Sequence, residues 1–186
     1  MNNFPPHTID SAPEEAKEAL RATEKRLGFV PNMLSVLAES PVALEAYQGI
    51  QAVFGKSSFS PAEQMFTALV VSITNGCTYC VPVYSMFALK SKVPDDVVNG
   101  ARDGGAIEDA RYRALRDFTV CVVDKRGHVT DDDISAFLNA GFTKAQVLEV
   151  IVASAFKLIS NYTNHIADIP LDEAFQPYAW DGEKAA

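Results

Sequence analysis

The sequence has no run of concentrated Lys and Arg, no long apolar segment and almost no strand signal. Sixteen basic residues stand against 24 acidic ones, for a formal net charge of -8. Nucleic acid is held by basic groups that displace counterions, so this balance argues against such a partner. The longest apolar run, Met65 to Ile73, is too short to span a bilayer, and residues 1 to 20 hold no apolar stretch of signal-peptide length. The expectation is a cytoplasmic protein that binds neither nucleic acid nor membrane. Cysteine is scarce too. Three cysteines with no export signal argue against a structural disulfide framework, and a close pair in that setting reads as redox-active or metal-binding.

What is present is helical punctuation. The 186 residues are 48% hydrophobic and 22% charged, which fits one globular domain with a sizeable core. Ser11-Ala12-Pro13-Glu14, Ser60-Pro61-Ala62-Glu63 and Thr143-Lys144-Ala145-Gln146 have the form of capping boxes, and Ser40-Pro41, Pro94-Asp95 and Thr130-Asp131 mark further starts. Gly28, Gly104-Gly105 and Gly141 mark stops. The fold class expected is all-α. Met65 to Ile73 is strongly apolar and so belongs to a central helix, while the last long helix should run from Val147 to about Asn161. These two helices echo one another, with Met65 opposite Leu148, which suggests a duplicated hairpin. The expected division is a helical arm at 1–24, an all-helical domain at 25–180 and a frayed tail at 181–186.

Chemistry concentrates in NGCTYCVPVYSMFALK, Asn75 to Lys90. On a helix, Cys77, Cys80 and Tyr84 would form one column, with neighbouring Cβ atoms roughly 5–6 Å apart. Pro82 is tolerated only in a first turn, so the helix should start close to Cys80 or kink there, and in either case free N–H groups should favour a Cys80 thiolate. Three readings stay open. The pair could cycle between dithiol and disulfide without a cofactor, form half of a zinc site, or be inert buried thiols. As metal ligands they would need two more groups, for which only Cys121 and His165 qualify. Cys121 otherwise reads as core packing.

Three ordered segments, LGFVPNMLSVLAESPVALEAY, SPAEQ with NGCTYCVPVYS, and NYTNHIADIPLDEAFQPYAW, resemble the carboxymuconolactone decarboxylase superfamily, in its AhpD-like, peroxidase-related branch. The similarity runs from about Lys25 to Trp180. It implies an AhpD-like helical bundle with the CxxC on a helical hairpin, a homo-oligomer (dimer, trimer or hexamer), and thiol-dependent reduction of a hydroperoxide with a separate dithiol reductant. By that likeness Cys80 matches the peroxide-attacking cysteine and Cys77 the resolving one. Two matches fail: the motif's histidine position holds Tyr84, and its glutamate position holds Met65. A phenol is a poor base near neutrality. Glu63 lies two residues before Met65 but also suits a capping box, so a compensating base is sought in Glu63, Glu149 or His165, the last of which follows Asn164. Two other functions remain: a redox-weakened oligomer that binds a small molecule, and lactone chemistry of the superfamily's name.

Overall fold

Prolines and hydroxyl side chains decide where the helices begin. The computed structural model describes residues 4–182, so residues 183–186 of the expected tail lie outside the described residues. Among the described residues nine α-helices follow in order: α1 Glu14–Leu27, α2 Asn32–Leu37, α3 Pro41–Phe54, α4 Pro61–Thr74, α5 Cys80–Lys90, α6 Asp95–Arg102, α7 Ala110–Asp124, α8 Asp131–Asn139 and α9 Lys144–Ala167. A 3-10 turn at Glu173–Tyr178 closes the described chain. The fold is all-α, with no strand among the described residues.

Reciprocal capping boxes are present at Ser60/Glu63, Thr130/Asp133 and Thr143/Gln146. Such a cap satisfies two N–H groups that have no helical partner. The box expected at Ser11 does not form. Pro13, with φ -50 and ψ 142, occupies the capping position without a side-chain bond, and Ser11 instead accepts from the Thr8 N–H. Helix α1 buries Ala16, Leu20 and Thr23, so the boundary drawn at residue 24 falls inside it.

Helix α4 is the centre of the bundle, buried along almost its whole length from Glu63 to Ile73 and packed on α5, α7 and α9. Helix α9 reaches Ala167 rather than stopping near Asn161. The reason is that Asn161 is fully buried and its Oδ1 accepts from Asn75 Nδ2 at 2.9 Å, which holds it inside the helix. Duplication gains little from this, because α4 has 14 residues and α9 has 24, and Leu148 is 63% exposed whereas Met65 packs against the core. Two aromatic groups fill the interior. Phe118, Phe137 and Phe142 stack between α7 and α8, and Tyr47, Phe54, Tyr84, Phe87, Phe156 and Phe175 form a second cluster around α5 and α9.

Candidate active site

The turn between α4 and α5 needs a left-handed residue, and Gly76 supplies it with φ +67. Cys77 follows. Its N–H donates to the Ser72 carbonyl and its own carbonyl accepts from Val81 N–H, both at 3.0 Å. Its Sγ accepts from the Cys80 N–H at 3.3 Å. That is the place of a capping oxygen, three residues before the donor, so Cys77 caps α5 with sulfur. The expected column is corrected accordingly: Cys80 and Tyr84 lie on the helix, and Cys77 precedes it. Pro82 is the third helical residue, where its missing N–H costs nothing. Both cysteines are buried and free, and they approach to 3.1 Å without being bonded.

Opposite them stands a lysine that sequence reasoning overlooked. Lys157, in the middle of α9, is fully buried, and its Nζ donates to Ser160 Oγ at 3.0 Å. Ser160 Oγ is 3.6 Å from Cys80 Sγ. The ammonium also sits 3.9 Å from the centroid of the Tyr84 ring, a buried cation–π contact. No carboxylate pairs with Lys157 among the described residues. A buried positive charge needs an anion nearby, and the Cys80 sulfur is the group placed to supply it.

Electrostatics follow this geometry. Burial pushes the Cys80 thiol up, but the Cys77 hydrogen bond, the Lys157 charge and donors on Ser160 and Asn161 outweigh it and bring the thiol down to about 5. Cys77 moves well above the usual thiol range, chiefly through its hydrogen bond to Cys80 and its burial. Burial pulls Lys157 down, yet Cys80, Tyr84 and Cys77 more than offset this and keep it charged. The sequence attributes an acidic Cys80 to the helix start; in the structure the principal causes are Cys77 and Lys157.

Cys80, Lys157 and Ser160 open onto a cavity of about 130 Å³. Its walls include Tyr47, Tyr79, Tyr84, Phe87 and Phe175, with Gln51 donating to Tyr84 Oη at 3.3 Å. Tyr79 fixes one wall. Its hydroxyl donates to Asp172, which also accepts from the Asn32 N–H, and accepts from the Met33 N–H at 3.3 Å.

The candidate bases from the sequence stand elsewhere. Glu63 completes its capping box and binds Arg111 at 2.6 Å, which in turn stacks on Phe142. Glu149 accepts from the N–H and hydroxyl of Ser58. His165 is exposed in the last turn of α9, beside Tyr162. None of the three lines the Cys80 cavity. Cys121 differs from its expected core role: it is half-buried, in a groove between α7 and α8 beside Asp133. Among the described residues no group of three or more His, Cys, Asp or Glu is placed to hold a metal ion.

No protein-family model and no curated protein matches the chain. Solved structures do. An AhpD-core, peroxidase-related protein from Ralstonia eutropha JMP134 superposes with a TM-score of 0.82 at 22% identity, over 92% of this chain and 93% of that one. A peroxidase-related protein from Silicibacter sp. TM1040 gives 0.78 at 20%, over 93% and 94%. The debrominase Bmp8 gives 0.77 at 19%, over 96% of each chain, and a cysteine-to-alanine variant of it has been solved with 2,3,4-tribromopyrrole. At these identities the likeness establishes the fold, and the fold is the AhpD-like helical one. That fold carries more than one chemistry, because a debrominase shares it with peroxidase-related proteins.

Proposed function

We propose that the protein is a dithiol oxidoreductase that reduces hydroperoxides. The Cys80 sulfur bonds to one peroxide oxygen as the O–O bond breaks, which leaves a sulfenic acid and an alcohol. Cys77 then displaces the hydroxyl as water and closes a disulfide, so two electrons pass from the two sulfurs to the peroxide. The observation that carries this reading is a pair of free cysteines 3.1 Å apart with a buried lysine as counter-ion. Tyr84, in place of a histidine, contributes a ring face for Lys157 rather than a base. A dithiol reductant regenerates the pair. The exposed apolar row Leu148, Ile151, Tyr162 and Ile166 on α9 supports a homo-oligomer. Among the described residues no helix is long and apolar enough to cross a membrane.

The test is stoichiometric. One equivalent of hydroperoxide should consume two thiols and leave a Cys77–Cys80 bond detectable by mass spectrometry; thiols that stay alkylatable refute the proposal. A second reading is favoured by the aromatic cavity walls and by the likeness to a debrominase: two-electron removal of bromide from a small aromatic ring, in which the bromoarene and the dithiol become arene, disulfide, bromide and a proton. A cavity near 150 Å³ is known to accept benzene, so about 130 Å³ is the right scale. Bromide release from bromopyrroles, measured beside peroxide consumption, separates the two.

A further inference from the structure

We propose that Lys157 is the acid of this site: it gives up its proton through Ser160 as the Cys80 thiolate is consumed, so the ammonium exists only while the cysteines are reduced. The inference rests on the dithiol reading and assigns the proton that the reading requires.

The geometry is a relay. Lys157 Nζ donates to Ser160 Oγ at 3.0 Å; the serine hydroxyl itself donates to the Lys157 carbonyl at 3.2 Å and lies 3.6 Å from Cys80 Sγ, so it turns to the sulfur side to pass the proton on, all of it buried. Helices from every side leave Lys157 without another anion. Helix α2 holds no titratable side chain, and the buried face of α7 is Leu115, Phe118, Thr119 and Val122. The one titratable group on α4, Glu63, is bound to Arg111. Helix α3 brings Tyr47, and α5 with its preceding turn brings Cys80, Tyr84, Tyr79 and Cys77. Asp172 is taken by Tyr79 and the Asn32 N–H. The thiolate is therefore the anion that keeps Lys157 charged. Once a disulfide replaces it, the ammonium faces the Ser160 hydroxyl and the rings of Tyr84 and Phe156, with the Arg26 cation lining the same cavity, and a buried charge with no anion among the described residues sheds its proton.

The balance closes. A Cys80 thiolate, a Cys77 thiol, a Lys157 ammonium and a hydroperoxide become a disulfide, a neutral amine, an alcohol and water. The ammonium proton goes to the leaving alkoxide, and the Cys77 proton leaves with the hydroxyl as water. Reduction of the disulfide then returns two protons with two electrons.

The test equilibrates the protein with a dithiol buffer between pH 7 and 8 and counts oxidised and reduced chains by mass spectrometry. A dithiol buffer also takes two protons per two electrons in this range, so the ratio of reduced to oxidised chains at fixed buffer composition should not change with pH. A tenfold rise in that ratio per pH unit, about 30 mV, means that Lys157 stays charged and overturns the proposal. Lys157→Arg, whose guanidinium keeps its proton, should show the tenfold rise; a ratio independent of pH in that variant also overturns it. The unsubstituted protein gives an independent reading through the lysine 13Cε and 15Nζ shifts, which should report an ammonium in the reduced form and an amine in the disulfide form. The same protonation state in both forms refutes the assignment. Failure of any Cys77–Cys80 bond to form under oxidant is a different outcome, one that removes the dithiol reading itself.

Discussion

Two cysteines in this molecule have a lysine for a neighbour, and their fates are opposite. Cys80 and Lys157 are both buried, with no carboxylate between them, and the thiol is pulled down to about 5. Cys121 is half-buried, and its neighbour Lys125 donates to Asp133 at 2.7 Å. There burial pushes the thiol up, and Asp133 counters what Lys125 lowers. A lysine activates a sulfur when the sulfur is its anion; where a carboxylate is available, the field of the ammonium is spent on it. Exposure to water weakens what remains, since the same charge pair interacts far more strongly in a low-dielectric interior.

Four experiments sharpen or break this contrast. The largest effect is expected from Cys80→Ser, which should abolish hydroperoxide consumption, whereas Cys121→Ser should leave the rate unchanged. Lys157→Gln comes next. A thiol returned to its ordinary range of about 8.5 or higher is only a few per cent thiolate or less at pH 7, so the rate should fall by about 30- to 100-fold and recover as pH rises. If the rate drops equally at every pH, Lys157 does not act by lowering the Cys80 thiol. Third is the unsubstituted protein's own pH profile. Because the folded Cys80 thiol lies near 5, its reactive form is complete at pH 7 and about a tenth at pH 4, so stopped-flow rates should fall about tenfold between them. A rise through pH 8 to 9 instead would return Cys80 to the class of ordinary thiols. Smallest is Asp133→Asn, which releases Lys125 toward Cys121 and should raise iodoacetamide labelling of that residue a few-fold.

Much of the fold was legible because its signals are local. Capping boxes, Ser40-Pro41 and Gly141 mark helix boundaries in the chain itself, and the resemblance of three segments to AhpD-like proteins points to the bundle. The candidate site was half legible. CxxC located the two sulfurs, and Pro82 placed the start of α5, but the role of Cys77 as a cap depends on Gly76 turning the chain back. Lys157 had a signal that went unread. The buried face of α9 runs Gln146, Val150, Ala153, Lys157, Ser160, Asn164 and Ala167, alternating steps of four and three, and the lysine sits at a core position of that stripe. Lysine is almost never fully buried, so its place in the core register is itself the cue. Glu149 and His165 have the right chemistry for a base, but the side of the helix each occupies sends them elsewhere.

The sulfur cap on α5 bears on how the site survives its own oxidant. On the dithiol reading, a sulfenic acid left waiting can take a second oxygen and pass to the irreversible sulfinic stage. Two backbone hydrogen bonds and the Cys80 N–H on the Cys77 sulfur pin Cys77 beside Cys80, so the rescuing thiol has no search to make, and such tethering is worth a very high local concentration. A second peroxide molecule entering the cavity therefore meets a closed disulfide, and overoxidation is outrun by a reaction whose partners are already in place.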